Sequence, residues 1–322
     1  MSSLCFFAIM RGMKSYTTLN DYYRTLFGEK TFKVPIDAGF DCPNRDGTVA
    51  RGGCTFCTVS GSGDAIVAPD APIRDQFYKE IDFMHRKWPD VKKYLVYFQN
   101  FTNTHESVDV IRERYEQAIN EPGVVGINIG TRPDCLPDKT LAYLAELTKR
   151  MHVTIELGLQ TTYEATSELI NRAHSYELYV ETVKRIRHQV PKAEIVSHLI
   201  NGLPGETHEM MVENVRRCVT DNDIQGIKLH LLHLMTNTRM QRDYHEGRLQ
   251  LMSQEEYVSV ICDQLEIIPK EIVIHRITGD APREMLIGPM WSLNKWEVLN
   301  AIETEMRRRG SVQGCKLGKL EE

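Results

Sequence analysis

Seven runs rich in β-branched and aromatic residues recur along the chain, each followed by a stretch with helical spacing. The runs are KVPIDAGF (33–40), YLVYF (94–98), VVGINI (124–129), VTIELGL (153–159), AEIVSHLI (193–200), GIKLHLLHL (226–234) and EIVIHRI (271–277). They are apolar almost throughout rather than alternating, which suits parallel strands covered on both faces. Between them, Ile73, Phe77, Ile81, Met84 and Trp88 share one helical face. Further helices are expected over 107–120, 138–150, 175–189, 207–221, 253–266 and 295–309. Repeated strand–helix alternation means a parallel α/β fold. No Gly-rich dinucleotide fingerprint follows the first strand, which disfavours an open doubly wound sheet. The expectation is a partial or near-complete parallel (β/α) barrel over 16–310, with an N-terminal extension at 1–15 and a tail at 311–322. In such barrels the chemistry gathers at the C-terminal strand ends.

Composition excludes several classes. The chain is 42% hydrophobic and 26% charged, a globular balance, and its net charge of −5 argues against a strongly basic nucleic-acid binder without excluding a local basic face. LCFFAIM (4–10) is too short to span a bilayer. It also lacks the basic flank and cleavage site of a signal peptide. No membrane association and a cytoplasmic location are expected, with Met13 as an alternative start.

At the end of the first strand stands CPNRDGTVARGGCTFC (42–57), three cysteines with eleven and then two residues between them. A structural zinc site wants four ligands, and only His105 or Cys135 is at hand as a fourth. A redox pair at Cys54 and Cys57 leaves Cys42 unexplained. Three thiolates suit a [4Fe–4S] cluster with one iron left open to a small molecule. Gly39, Gly47, Gly52 and Gly53 let the backbone wrap such a cluster. Cys135, Cys218, Cys262 and Cys315 read as buried small hydrophobes.

This loop resembles that of radical S-adenosylmethionine (SAM) enzymes in a long-spaced variant, and the resemblance runs from about residue 16 to 314. Combined with TRPDCL, ELGLQT and HLINGLPGET, it is similar to the YtqA/YhcC-like subgroup. The resemblance implies Cys42, Cys54 and Cys57 as cluster ligands, SAM as second cofactor, and Phe56 near the adenine. In YFQNFTNTH (97–105), Asn103 stands where the wider family has a Gly-Gly-Glu segment contacting the SAM amino group. Gln160 and Arg172, twelve apart, resemble a SAM-contacting pair, with Arg172 suited to the methionine carboxylate. Glu156 beside them could meet a ribose hydroxyl or form an internal ion pair. His198 and Gly202, in the segment after the fifth strand, fall near the adenine. TRPDC offers Arg132 or Asp134 to substrate or SAM, and KLHLLHL puts Lys228 and His230 on one side of a strand with His233 on the other. HRITGDAP (275–282) and LIGPMW (286–291) fall near the pocket.

The subgroup further implies wobble-uridine modification in tRNA, from 5-carboxymethylaminomethyl to 5-aminomethyl. An electron donor such as flavodoxin or ferredoxin and a downstream tRNA methyltransferase would be partners. Basic clusters at 184–188, Arg216–Arg217 and 307–309 could serve RNA phosphates, yet such runs are commonly solvated helix faces. The alternatives are a radical SAM enzyme acting on a small metabolite or another RNA modification, an iron–sulfur electron carrier, and a zinc-stapled RNA-binding module. Sulfur insertion is disfavoured because no second cysteine triplet is present.

Overall fold

The computed structural model describes residues 14–59, 61 and 66–317; the 4–10 run and Met13 lie outside them. The apolar runs form seven parallel strands: β1 (Thr31–Ile36), β2 (Lys93–Phe98), β3 (Val124–Thr131), β4 (His152–Gln160), β5 (Glu194–Asn201), β6 (Gly226–Leu231) and β8 (Val273–Arg276). They pair in the order β1-β2-β3-β4-β5-β6-β8. Neighbours in sequence are neighbours in space, as helical crossovers require, and the twist of the strands curls the sheet into a half-barrel. β1 and β8 are its two edges. Of the two barrel forms expected, the partial one is present. The segment before the first helix lies along the β8 edge, where Ile274 N–H donates to Thr17 O at 3.0 Å, so that edge is covered.

The outer layer is α1 (Leu19–Phe27), α3 (Ile73–His85), α4 (Val108–Ile119), α5 (Asp138–Leu147), α7 (Tyr176–Gln189), α8 (His208–Thr220), α10 (Gln254–Ile267) and α11 (Lys295–Arg309), with short α2 (Pro43–Asp46), α6 (Glu164–Leu169) and α9 (Arg239–His245) in the connections. Ser107, Ser175, Thr207 and Ser253 cap their helices by accepting backbone N–H groups. The apolar helix faces meet the sheet in one core, where Phe77, Ile111, Leu144, Val183 and Val215 are buried.

Two strands end three or four residues short of expectation. β1 stops at Ile36 rather than Phe40, because Gln76 of α3 pulls the chain outward. Its Oε1 accepts from Asp37 N–H at 2.9 Å and its Nε2 donates to Asp37 O at 2.8 Å. The 226–234 run breaks after Leu231, and β7 (Leu234–Met235) pairs instead with β9 (Leu286–Gly288) in a separate antiparallel ribbon. Ser15 and Gln313, near the two limits of the described residues, are also part of the packing. Ser15 Oγ donates to Glu303 at 2.9 Å, and Gln313 Nε2 donates to the Pro269 and Ile272 carbonyls at 2.7 and 2.8 Å.

Candidate active site

Leaving β1, the chain turns back on itself twice. Cys42 precedes α2, whose Pro43 sits at a first-turn position where a missing N–H costs nothing. Gly52 and Gly53 then adopt φ of 81° and 70°, and a Cβ on Gly53 would stand 3.2 Å from Arg45 Cγ. Only glycine makes that turn without strain. It returns Cys54 and Cys57 to the side of Cys42, and all three line one cavity of about 280 Å³ at the strand ends. A hydrogen bond from Cys57 draws the Cys54 thiol down to about 7, assisted by Arg132 and Asn44, against the opposing effect of burial.

The loop is gripped from two sides. Thr55 N–H donates to Ile170 O at 2.9 Å, and Asn171 Nδ2 donates to Gly53 O at 2.8 Å. From the far end of the sequence, Met240 N–H donates to Thr55 O at 3.0 Å and the Arg239 guanidinium donates to Gly53 O. Phe101, Gln160, Asn171 and Ala173 all have positive φ near this site. Such conformations cost energy and persist where the surroundings impose them. At Gln160 the β4–β5 register slips between Gly158 and Gln160, and the side chain lines the cavity.

Arg172 does not reach the cavity. It is fully buried, and its guanidinium donates to the carbonyls of Leu159, Thr161 and His174, the last at 2.7 and 3.0 Å. Its role is to pin the 170–174 turn that backs the cysteine loop. Lysine offers one point charge where the guanidinium spreads its donors over three carbonyls. Arg172→Lys is therefore expected to lower stability by about 3 kcal/mol, since each buried group left unpaired costs ~1–3 kcal/mol. Thermal unfolding measures this; an unchanged midpoint combined with weakened SAM binding would restore the direct ligand role. Asn103 is likewise turned away, its Nδ2 donating to Gly130 O at 2.8 Å. Gly202 (φ 88°) makes the turn after β5 outside the cavity wall.

Glu156 lies at the centre of the cavity floor. Lys33 donates to its Oε1 at 2.8 Å; His198 Nε2 lies 2.9 Å from its Oε2, to which Lys228 also donates. Asn128 Nδ2 adds a contact of 3.2 Å, and Lys228 also reaches Tyr97 OH at 2.9 Å. Burial alone would push the Glu156 carboxyl up, but Lys228, Lys33 and His198 outweigh it and hold it well below the usual range. Burial brings Lys228 down to about 7 despite the pull of Glu156, and brings His198 to about 4. Of the two roles the sequence left open for Glu156, the internal ion pair is present.

Phe56, Glu156, Gln160 and His198 thus share the cavity with the three cysteines. Arg132 joins them, its guanidinium donating twice to Asp134 at 2.9 and 2.7 Å and once to Arg172 O at 2.7 Å. Tyr97, His174 and the ion-pair role of Lys33 went unread in the sequence. Each depends on strands far apart in the chain, and only the periodic placement of Lys33 and Tyr97 on inward faces hinted at them.

The Radical SAM superfamily pattern matches residues 46–218, and the Radical_SAM C-terminal domain pattern matches 224–308. The chain belongs to the radical SAM superfamily. Radical SAM enzymes work with a [4Fe–4S] cluster and SAM, and these are the cofactors of this one. It is 54% identical to YtqA of Bacillus subtilis over 310 residues, 96% of this chain and 95% of that protein. It is 26% identical over 188 residues to the tRNA uridine(34) acetyltransferase of Methanocaldococcus infernus, which covers 57% of this chain and 34% of that protein. Among solved structures, the archaeal Elp3 of Methanocaldococcus infernus superposes with a TM-score of 0.65 at 16% identity, covering 89% of this chain and 65% of that one. That last likeness concerns the fold.

The donor set fits a cluster held by three thiolates. Asn44 Nδ2 lies 3.5 Å from Cys54 Sγ, and the buried Asn44 Oδ1 and Thr55 Oγ1 have no partner. The side chains considered as a fourth zinc ligand are engaged elsewhere. His105 Nε2 is 2.7 Å from Asp46, and burial beside Asp134 pushes the Cys135 thiol upward, away from thiolate. Among the described residues, no group of three or more His, Cys, Asp or Glu side chains is arranged to hold a single metal ion. No helix among them is long and apolar enough to cross a membrane.

Proposed function

We propose that this radical SAM enzyme modifies the wobble uridine of tRNA, removing the acid arm of a 5-carboxymethylaminomethyl group to leave 5-aminomethyl. The observation that carries the reading is the similarity to a tRNA uridine(34) acetyltransferase over 57% of this chain. The single cavity that joins the three thiols to a polar, cationic floor supports it.

In this reading Cys42, Cys54 and Cys57 hold the cluster and leave one iron open. Phe56, Gln160 and His198 line the SAM site, and Arg132 is the guanidinium whose charge acts most on Cys54. When bound, cluster and SAM supply a one-electron reductant and a 5′-deoxyadenosyl radical able to take hydrogen from an unactivated carbon. The protein's contribution is to orient the substrate arm against that carbon and exclude water. Loss of the arm is a two-electron oxidation of its C–N bond to an imine, with SAM as the oxidant: one hydrogen atom would end in 5′-deoxyadenosine, the second electron would return to the cluster in place of the one first delivered, and one proton would be released; water then divides the imine into the amine and glyoxylate. A flavodoxin or ferredoxin would deliver the electron, and a tRNA methyltransferase would take up the amine product.

The test uses purified, anaerobically reconstituted enzyme with reductant, SAM and tRNA bearing the carboxymethylaminomethyl base. Aminomethyluridine and glyoxylate are expected in equal amounts. An undiminished substrate base, with 5′-deoxyadenosine still forming, would refute the substrate while leaving the chemistry standing.

A further inference from the structure

Lys228 of β6 lines the cavity together with the three cysteines, and its side chain is almost fully buried. Its Nζ donates to Glu156 Oε2 and, at 2.9 Å, to Tyr97 OH, and these are its hydrogen-bond partners among the described residues. A lysine nitrogen offers three directions besides its carbon: three N–H groups as an ammonium, or two N–H groups and a lone pair as an amine. Glu156 and Tyr97 take two of them in either form. The third is left for a group that enters the cavity.

The surroundings let Lys228 exist in both forms. Lys33 of β1 bonds the other oxygen of Glu156 at 2.8 Å, so the carboxylate keeps a cation when Lys228 is neutral. Burial draws Lys228 down to about 7 against the pull of Glu156, helped by the charges of Lys33 and Arg276. Burial, aided by the charge of Lys228, makes His198, His230 and His275 weak bases. His233, also on the cavity wall, is lowered by burial to about 4, and Glu156 itself is held well below the usual carboxylate range. A catalytic base works best when it titrates close to the working pH. Lys228 joins that property to a place on the cavity floor.

We propose that Lys228 is the catalytic base of the reaction, taking the proton from the nitrogen of the substrate arm. For the identity of the substrate the inference rests on the wobble-uridine reading. That nitrogen is a secondary amine, protonated at neutral pH. While protonated it has no lone pair to share with a radical on the adjoining carbon. Once the methylene of the arm has given a hydrogen atom to the 5′-deoxyadenosyl radical, the N–H proton passes to Lys228 Nζ. The nitrogen lone pair then lets one electron leave for the cluster, and a C=N bond forms. Water completes the sequence: its oxygen bonds to carbon, both its hydrogens end on nitrogen, and the C–N bond breaks to give glyoxylate and the ammonium product. The proton held by Lys228 is the one released in the overall balance. A buried lysine suits this work because its charge is readily surrendered.

The test uses reconstituted enzyme with reductant, SAM and tRNA whose arm carries deuterium and carbon-13 at the methylene. Deuterium in 5′-deoxyadenosine counts hydrogen abstraction, and aminomethyluridine counts completed turnover. Wild type is expected to form the two in equal amounts, with an amine-forming step that quickens as pH rises through about 7. Lys228→Met and Lys228→Arg should still transfer deuterium but form amine about a hundredfold more slowly, since neither side chain accepts a proton at neutral pH. A carbon-centred radical split by carbon-13 should then accumulate in the electron paramagnetic resonance spectrum. Iron content and circular dichroism control for folding, and Lys228→Gln replaces Lys228→Met should that variant not fold.

Amine formation in Lys228→Arg at the wild-type rate overturns the base and leaves the substrate reading intact. Loss of deuterium transfer along with the amine, at full iron content, also overturns it, because the lysine then positions the arm. So does a wild-type amine step that stays constant between about pH 6 and 8. Wild type that forms 5′-deoxyadenosine without deuterium, and leaves the carboxymethylaminomethyl group untouched, removes the substrate reading and the assignment of Lys228 with it.

Discussion

Alanine at any one of Cys42, Cys54 and Cys57 should give a folded chain with little iron and with 5′-deoxyadenosine formation reduced by more than about a hundredfold. Loss of a residue that merely supports a metal ligand commonly costs 10–100-fold, so loss of a ligand itself should exceed that. The fold should survive because backbone groups hold the loop in place. Arg45 N–H donates to Cys42 O at 2.8 Å, Gly53 N–H to Asn44 O at 2.8 Å, and Thr55 N–H to Ile170 O at 2.9 Å, none of them through sulfur. Cluster assembly followed by iron and sulfide counting, alongside circular dichroism, separates loss of ligand from loss of fold. Full iron content and activity in any one variant would remove that cysteine from the cluster.

Glu156→Gln should produce the largest loss of stability of any single change at the cavity floor. The carboxylate is fully buried and answers Lys33, Lys228 and His198 together. Removing one partner of a buried ion pair costs about 3–5 kcal/mol, because the other charge stays behind unmatched. In a chain of this size that corresponds to a fall of roughly 4–7 °C in the unfolding midpoint. Lys228, already drawn to about 7, can relieve some of the cost by releasing its proton. Adding Lys228→Met should accordingly recover part of the loss, a non-additivity expected of groups in one network.

Acid should reveal the same carboxylate. Its pKa is lowered on folding, so its share of stability is complete above its unfolded value near ~4.3 and is lost as pH falls toward the folded value. Denaturant titrations at successive acid pH should show a shallower decline for Glu156→Gln than for wild type. Equal slopes would mean that the carboxylate is not held below its ordinary range.

The strands were legible because a strand covered on both faces must be apolar along its length. The helices were legible because Ile73, Phe77 and Ile81 recur at the spacing of one buried face. What escaped were contacts that one strand cannot announce about another. The Lys33–Glu156 pair joins residues 123 positions apart, and nothing around Lys33 distinguishes it from a solvated lysine. Gln76, an unremarked polar residue on an apolar helix face, ended β1 four residues early. Arg172 misled for the opposite reason. Its spacing from Gln160 suggested a ligand, but its two positive-φ neighbours, Asn171 and Ala173, fold the turn so that the guanidinium meets carbonyls. The cysteine loop remained readable because thiol spacing and glycine placement are local.

The grip of Arg239 on Gly53, across 186 positions of sequence, has a bearing on how the enzyme matures. A polypeptide still emerging from the ribosome already displays its three thiols, but the brace that shapes them arrives only when about three quarters of the chain has been made. The cysteine loop can therefore take its braced shape only once translation has passed Arg239.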